Sequence, residues 1–245
     1  MLDVFIGWDP READVADIAK FSIERHAPVG SVNVRYLKLE DLRADGLYTR
    51  QTERRNGQLW DTISEAPMST EFAISRFLTP HLAETDWAVF CDCDFLWRVD
   101  INDLLKLADP KYAVMCVHHV HNPVETVKMD NQAQLRYQRK NWSSMILWNC
   151  RHPSNAKLSV EMVNSLPGRD LHRFCWLEDH EIGEVPPTWN WLEGTSDPAI
   201  DPNVVHYTRG GPWFDEWQDV AHADLWLQER DLWQASLKTG QRASA

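Results

Sequence analysis

The opening 37 residues limit the fold of this chain more than any other stretch. Residues 3–7 form a short apolar run, and residues 32–37 alternate apolar with polar side chains, so both segments predict β-strands. Between them, Asp9 and Pro10 have the spacing of a helix N-cap and a first helical position, and apolar residues then recur at helical period. A strand–helix–strand opening is typical of a parallel α/β sheet.

The rest of the chain continues this alternation without an internal repeat or a clear linker. Further strands are predicted at residues 87–91, 112–117, 144–148 and 204–207. Further helices are predicted at residues 69–82, 156–166 and 215–237, and the polar residues 45–68 are predicted to form a loop. We therefore expect one α/β domain over residues 1–245, with a Rossmann-like, mostly parallel, twisted sheet flanked by helices.

Composition and charge exclude several classes of protein. The chain has 245 residues, of which 43% are hydrophobic, which is enough for a sizeable core. The net charge of −12 argues against nucleic acid as a partner and against a polybasic membrane-surface protein. No signal peptide is expected, and no apolar stretch approaches the roughly 18 residues that a membrane-spanning helix needs. The sequence therefore predicts a cytoplasmic protein, with the inner membrane surface as an alternative location.

The cysteines agree with a reducing compartment. There are five of them, widely spaced, and they are Cys91, Cys93, Cys116, Cys150 and Cys175. An odd number in mostly apolar surroundings predicts buried free thiols rather than a disulfide framework.

The acidic pair Asp92 and Asp94 directly follows the predicted strand at residues 87–91, with Cys93 between the two carboxylates. Acids at positions i and i+2 point in roughly the same direction and can share one divalent cation, which in turn can bridge phosphate oxygens. A solvated strand end is the alternative for an Asp-x-Asp pattern. The apolar residues on both sides favour a site, because buried acids need a cation or hydrogen-bond donors.

A second motif lies at the late strand, where His206 is followed by Arg209, Gly210 and Gly211. A neutral imidazole at a strand end can be a third metal ligand, and a guanidinium beside glycine backbone can hold a diphosphate. A structural histidine beside a Gly-Pro turn is the alternative. Arg76, on the predicted helix, could also reach a phosphate, although a surface salt bridge is the simpler interpretation from composition.

Read together, these motifs resemble the glycosyltransferases of family 8, the group of glycogenin and the bacterial lipooligosaccharide galactosyltransferases. The resemblance is carried by VFIGWDPRE, STEFAISRFLTPHL, WAVFCDCDFLWRVDINDLL and NVVHYTRGGPW, and so spans most of the chain. It implies a GT-A fold, Mn²⁺ or Mg²⁺ as cofactor, a UDP-sugar donor, a glycan or glycolipid acceptor, and retention of anomeric configuration. It also leads us to expect a bacterial origin. It also implies a nucleotide-binding half at residues 1–110, an acceptor and sugar half at 111–214, and a C-terminal helical segment at 215–245.

The resemblance also assigns roles to individual residues. Asp92, Asp94 and His206 would bind the metal. The residues implied in contacts with the nucleotide sugar are Asp9, Arg76, Asp92, Cys93, Asn141, Ser143, Arg209 and Gly210. Asp179 and His180 would lie at the catalytic position.

Three positions depart from the family pattern. His180 stands where many members have Gln, and Asn141-Trp142-Ser143 replaces an Asn-Ala-Gly or Asn-Ser-Gly turn. Gly211 stands where a phosphate-binding Lys is usual, and Arg209 is the hypothetical substitute for that charge.

Two other functions are compatible with parts of this sequence. A sugar-nucleotide-forming nucleotidyltransferase also uses acids and Mg²⁺, but it usually carries a Gly-rich basic loop after the first strand. A non-catalytic sugar-binding module would explain the 13 tryptophans but not the acid pair, His206 and Arg76 together.

Residues 118–140 hold two further clusters. His118, His119 and His121 could form a separate metal site, although acceptor-loop or surface histidines are preferred. The cations Lys128, Arg136, Arg139 and Lys140 could attract an anionic acceptor, and a solvated loop is the alternative.

Overall fold

The computed structural model describes residues 1–120, 127–128, 132–133 and 139–239 of the chain. The strands of this part are, in chain order, β1 (Leu2–Gly7), β2 (Val32–Leu37), β3 (Thr52–Arg55), β4 (Gln58–Asp61), β5 (Ala66–Met68), β6 (Trp87–Cys91), β7 (Phe95–Trp97), β8 (Val114–Cys116), β9 (Val127–Lys128), β10 (Gln132–Ala133), β11 (Met145–Asn149), β12 (Ile182–Glu184), β13 (Trp191–Leu192) and β14 (Val204–His206). The α-helices are α1 (Ala13–His26), α2 (Leu39–Ala44), α3 (Thr79–Leu82), α4 (Asn102–Leu105), α5 (Val160–Ser165), α6 (Gly168–His172) and α7 (Ala223–Thr239).

The main sheet has six strands in the order β12-β8-β11-β6-β1-β2. β1 pairs in parallel with β2 and with β6, and β12 pairs in parallel with β8. β11 runs antiparallel between β6 and β8. The predicted α/β fold with a mostly parallel sheet is therefore confirmed.

The centre of this sheet is the core of the protein. Val4 in β1 and Val89 and Phe90 in β6 have no exposed surface. Central strands covered on both faces need continuous apolar side chains, which is why these segments show no polar alternation. α1 packs against β1 and β2, and α3 packs against β6 and β11.

A smaller sheet, in the order β13-β14-β7, packs against α1 through β7, and α1 in turn contacts α7. Its apolar side chains form a second buried cluster with residues of both helices, including Ile18, Leu96, Val205 and Trp226. β14 pairs antiparallel with β7, so the segment around residues 204–206 is held beside the chain that follows β6.

The loop predicted for residues 45–68 is wrong, because β3, β4 and β5 form an antiparallel meander there. β3 and β4 are joined by Asn56 and Gly57, whose φ angles are +52° and +82°. Positive φ at both positions is the geometry of the two-residue hairpin turn that Asn-Gly favours. The Asn56-Gly57 dipeptide is therefore the feature of the sequence that indicates this hairpin.

The continuous helix predicted for residues 69–82 is also wrong. The chain forms a 3₁₀ turn at Ser75–Leu78 and then the short α3. Pro80 has no N–H to donate to the Arg76 carbonyl, and the Thr79 hydroxyl donates to that carbonyl instead, at 2.8 Å.

The buried side chain of Arg50, which is paired with Asp61 of β4, anchors the meander to the main body. Arg50 Nε donates to Asp61 Oδ1 at 3.1 Å, and Nη1 donates to the carbonyls of Val163 and Leu166 at 2.9 and 2.7 Å. Burial acts to raise the pKa of Asp61, but hydrogen bonds from Arg50 and Ser64 more than offset it, so the pKa is lowered. The carboxylate is therefore charged and paired.

Replacing Asp61 by Asn leaves the Arg50 guanidinium buried without its counter-charge. We expect Asp61→Asn to lower the free energy of unfolding by about 3–5 kcal/mol, measured by urea denaturation. The matched control is Asp103→Asn, which breaks a surface pair with Lys106 and is expected to cost less than about 1 kcal/mol. Equal losses for the two variants would contradict the anchoring role.

Candidate functional site

The carboxyl ends of β1, β2 and β6 meet at one edge of the main sheet, which is where open α/β sheets bind ligands. β11 begins at the same edge, because its first residue Met145 pairs with Cys91, the last residue of β6. Asp92 follows Cys91, and its N–H donates to the Ser144 carbonyl at 3.0 Å. This edge therefore holds the acidic segment between β6 and β7.

The three predicted metal ligands lie together here. β14 places His206 opposite Phe95 of β7, and the Tyr207 N–H donates to the Asp94 carbonyl at 3.0 Å. One ligand atom each from Asp92, Asp94 and His206 lies within 4.8 Å of the others. His206 Nε2 is 3.4 Å from Asp94 Oδ1. Two carboxylates and an imidazole thus converge from chain positions far apart in the sequence.

A chain of hydrogen bonds fixes the ring of His206. The Ser144 hydroxyl donates to the Asn141 carbonyl at 2.7 Å, so its oxygen accepts from Asn190 Nδ2 at 2.9 Å. The amide oxygen of Asn190 then faces His206 Nδ1 at 2.9 Å, which assigns the ring proton to Nδ1 and the lone pair to Nε2. The ring stacks on Phe95 at a centroid distance of 4.3 Å. Nε2 is therefore available as a ligand atom beside Asp94.

The donor set fits a divalent cation. Carboxylates are the ligands that Mg²⁺ and Mn²⁺ prefer, and a neutral imidazole adds a donor that transition metals accept. A hydrogen bond such as that from His206 to Asn190 orients metal-binding histidines in general. Burial raises the pKa of Asp92, with Arg76 lowering it and Asp94 raising it again. A cation beside these carboxylates would favour their ionised forms.

Arg76 lies at this cluster, so its interpretation as a surface salt bridge is wrong. The residue is 5% exposed, and its Nη1 lies 2.8 Å from Asp92 Oδ1 and donates to the Ser143 carbonyl at 2.8 Å. Nε donates to the Ala73 carbonyl at 3.1 Å, and the guanidinium lies over the Phe90 ring at 4.9 Å. Arg76 therefore compensates the charge of Asp92 inside the protein.

Cys93 and Asp9 are both engaged within the protein. Cys93 is buried, its Sγ donates to Glu12 at 3.6 Å, and burial raises the pKa of the thiol. Burial and neighbouring carboxylates raise the pKa of Glu12 to about 7. Asp9 accepts from the backbone and side chain of Arg11 and from the Glu71 N–H, at distances of 2.8 to 3.1 Å. Their contacts with a donor stay predictions.

Ser143 and Asn141 lie where β11 begins. The Ser143 hydroxyl is 2.7 Å from Nδ1 of His172, the last residue of α6. Burial, with a smaller contribution from Arg76, lowers the pKa of His172 to about 3, so this ring is neutral. Asn141 has a φ of +65° and contributes its carbonyl to the chain of hydrogen bonds described above. His172 and Asn190 were missed because a single histidine or asparagine has no informative spacing.

The structure does not bring the predicted catalytic residues Asp179 and His180 together with the three metal-ligand candidates. Both lie in the 3₁₀ turn Asp179–Glu181, directly before β12. β12 is parallel to β8, and both run in the direction of β6, so the amino end of β12 faces the edge opposite Asp92. The Asp179 side chain is 94% exposed and pairs with Arg139. The direction of β12 therefore keeps this turn apart from the three metal-ligand candidates.

Arg209 and Gly210 lie in the segment that follows β14, shortly after its last residue, His206. Arg209 Nε and Nη2 donate to Glu193 Oε2 at 3.1 and 2.8 Å. Gly210 has a φ of +131°, and its N–H donates to the Tyr207 carbonyl at 2.9 Å. The predicted role of both in donor binding remains a prediction.

A cavity of about 690 Å³ opens beside the carboxyl ends of β1 and β2. It lies between the loop after β1, the helix α2 and the meander. Its walls include Trp8, Leu39, Glu40, Arg43, Arg54 and Glu71. Its volume is in the range of small-molecule sites. The sequence reasoning missed it because the meander was predicted to be loop.

Only part of the predicted histidine cluster lies within the described residues. The ring of His118 stacks on Trp142 at 3.9 Å with an interplanar angle of 3°. Burial lowers the pKa of His119 to about 3. Among the described residues neither belongs to the metal-ligand cluster, and His121 lies outside the described residues. Trp142 Nε1 donates to the His119 carbonyl at 3.0 Å, and His118, His119 and Trp142 are each half-buried, so the preferred assignment to an acceptor loop or to the surface stays a prediction.

The predicted cationic cluster is only partly described. Lys140 is 5% exposed, and Arg139 pairs with Asp179. The Lys128 side chain and Arg136 lie outside the described residues. The two described cations are therefore not a solvated patch.

Comparison with solved structures defines the class of fold. The bifunctional glycosyltransferase WbbM matches 94% of this chain with a TM-score of 0.63 and 16% identity, and the chain spans 49% of its length. Galactosyltransferase LgtC, solved with donor and acceptor sugar analogues, matches 94% of this chain and 95% of its own, with a TM-score of 0.59 and 14% identity. GlyE of Streptococcus pneumoniae matches 98% of this chain and 63% of its own, with a TM-score of 0.60 and 13% identity. The chain therefore has the GT-A type of glycosyltransferase fold.

Sequence comparison gives the particular family. Protein CDI of Arabidopsis thaliana is 50% identical over 234 residues, which cover 93% of this chain and 85% of that protein. The chain belongs to the family of Protein CDI. This relative is a plant protein, so it lends no support to the expected bacterial origin. No protein-family profile matches the chain, and membership of family 8 stays a prediction.

Two further expectations can be compared with the structure. Among the described residues, no helix combines the length and apolar character needed to span a membrane. The five cysteines are free thiols; Cys91, Cys93 and Cys116 are buried as predicted, whereas Cys150 is half-buried and Cys175 is exposed.

Removing the Asn190 amide frees the His206 ring to rotate and to change tautomer. We expect Asn190→Ala to weaken Mn²⁺ binding by about 10- to 100-fold, measured by calorimetric titration of the protein with the metal. Asn203→Ala is the matched control, because its amide contacts Thr188 at 3.3 Å and not the cluster. An unchanged affinity in Asn190→Ala would contradict the proposed orientation of His206.

Proposed function

We propose that this protein is a metal-dependent glycosyltransferase that moves a hexose from a nucleotide sugar, a UDP-sugar, to a glycan or glycolipid acceptor with retention of configuration. The observation that carries the proposal is the convergence of Asp92, Asp94 and His206 at the ligand-binding edge of a GT-A fold. The likeness to LgtC, which was solved with donor and acceptor sugar analogues, supports the same reaction class.

The cavity and the acidic cluster suggest how the donor lies. Trp8 and Glu71 line the cavity, and the Glu71 N–H also donates to Asp9, which begins the turn leading to Glu12. Glu12 interacts electrostatically with Asp94. We therefore place the nucleoside in the cavity and the diphosphate at the cluster, with both on the same edge of the sheet. This proposal retains residues 1–110 as the nucleotide-binding half.

The residues around the cluster would prepare it for a cation and a diphosphate. Mn²⁺ or Mg²⁺ bound there would act as a Lewis acid toward the negative charge of the leaving diphosphate. Arg76 orients Asp92 and offsets part of the effect of burial on the pKa of that carboxyl, and Asn190 holds the ring proton of His206 on Nδ1, so that Nε2 faces Asp94 as the ligand atom. Arg209 would donate hydrogen bonds to the phosphate oxygens, as guanidinium groups commonly do.

The second half of the chain would hold the sugar and the acceptor. We propose that residues 111–214 provide these contacts and that residues 215–245 are a separate C-terminal segment, in whose described part α7 is the helix. Because Asp179 and His180 lie apart from the cluster, the residues that contact the transferred sugar are expected near Ser143 and His172.

The free thiols favour a reducing compartment, so the cytoplasm is the proposed place of action.

A panel of UDP-sugars tests the proposal. We expect at least one to be hydrolysed slowly in the presence of Mn²⁺, and we expect a chelator or the substitution Asp94→Asn to abolish this activity, because the leaving diphosphate then lacks charge stabilisation. Released UDP is the measured product. Activity that persists in excess chelator would exclude the metal role. If the protein binds free sugars, and if UDP with Mn²⁺ does not change its thermal stability, a sugar-binding module would be favoured instead.

The role of Arg209 has its own test. We expect Arg209→Ala to raise the Michaelis constant for the donor about tenfold or more, because a hydrogen bond to a charged group is lost. Arg230→Ala is the control, since that arginine pairs with Asp231 on α7. An unchanged donor constant in Arg209→Ala would refute the phosphate contact.

A further inference from the structure

The guanidinium of Arg209 is held on two sides by other side chains. Glu193 is 4% exposed and accepts from Nε and Nη2 through the same carboxylate oxygen. The ring of Trp217 lies 5.1 Å from the guanidinium carbon on another side. A buried carboxylate and an aromatic ring together fix both the direction and the plane of this cation.

Gly194 provides a third contact through the absence of a side chain. Its φ is +67°, and a Cβ built there would lie 1.8 Å from Nη2 and 2.1 Å from the guanidinium carbon of Arg209. The cation therefore lies directly against bare backbone. Because the clashing atoms are at the far end of a flexible side chain, a residue larger than glycine would displace Arg209 rather than prevent folding.

This arrangement is tied to the candidate metal site through the small sheet. Leu192 pairs with His206, and the Glu193 N–H donates to the His206 carbonyl at 2.9 Å. Glu193 and Gly194, which contact Arg209, therefore directly follow β13, the strand that pairs with the strand of His206. A shift of Glu193 would move Arg209 relative to His206.

Arg209 retains hydrogen-bonding capacity beyond these contacts. A guanidinium has five N–H donors, and Glu193 takes one from Nε and one from Nη2. Within the part of the chain that the structure describes, Nη1 makes no hydrogen bond. The side chain is 38% exposed, so these donors can reach a ligand.

We propose that Glu193, Gly194 and Trp217 form a clasp that positions Arg209 to hold the diphosphate of the donor. This inference rests on the proposed function, because it names the residues that prepare one phosphate contact of that site. Glu193 and Gly194 act as positioning residues and touch no substrate themselves. Residue 194 must then be glycine for diphosphate affinity, and not only because of the positive φ of its turn.

The test compares two glycine substitutions with the same backbone strain. Gly194→Ala introduces a methyl group into the guanidinium, whereas Gly30→Ala, at a φ of +76°, meets no atom within 4 Å. We expect Gly194→Ala to weaken the binding of UDP in the presence of Mn²⁺ about tenfold, and Gly30→Ala to leave it unchanged, measured by isothermal titration calorimetry. Circular dichroism confirms that both variants are folded.

A double variant distinguishes loss of the clasp from a general disturbance of the structure. In Arg209→Ala the target of the clash is gone, so adding Gly194→Ala is expected to weaken UDP binding no further. Uridine, which lacks phosphate, is expected to bind the single variant Gly194→Ala as it binds the wild type. A loss of uridine affinity equal to the loss of UDP affinity would overturn the clasp in favour of a structural role.

The outcomes for the two proposals are distinct. If the wild-type protein binds neither UDP nor UDP-sugars with Mn²⁺, the proposed function and the clasp both fail. If the wild type binds UDP with Mn²⁺ and Gly194→Ala binds it equally well, the clasp alone is overturned.

Discussion

The ion pair between Arg76 and Asp92 determines how the ligand-binding edge of the sheet can be built. Asp92 directly follows β6, whose last four residues are fully buried, and an uncompensated carboxylate there would be unfavourable. Arg76 reaches it from the turn before α3, and the same guanidinium binds the carbonyl of Ser143 at the start of β11. One buried cation therefore joins three segments around the acidic pair. Because Asp92 is already paired, the edge is ordered before a ligand binds.

The parts of the fold that the sequence predicted were those with local signals. The opening strand, helix and strand followed from apolar periodicity, and the acidic pair was recognised because it interrupts a buried run. His206 was a candidate because it stands at a strand end. The reason it meets Asp94, the antiparallel pairing of β14 with β7, is a contact between distant segments and has no local signal.

The errors have specific physical causes. The Asn56-Gly57 turn is a local hairpin signal, but the strands β3 and β4 beside it show no apolar alternation, so the pattern predicts a loop. The role of Asp179 was implied by the resemblance to family 8, whereas its place in the fold depends on the direction of β12. Asn190 could not be identified, because its role depends on the ring nitrogen that it faces across the small sheet.

The pairing of β7 with β14 has a consequence for how the protein folds. β7 ends at Trp97 and β14 begins at Val204, so this contact closes a loop that contains much of the main sheet. Closing a long loop has an entropic cost that must be met before its contacts give any stabilisation. The two acids are in place once β6 is folded, but the histidine arrives only with the small sheet. Competence to bind a cation would then be acquired among the last steps of folding.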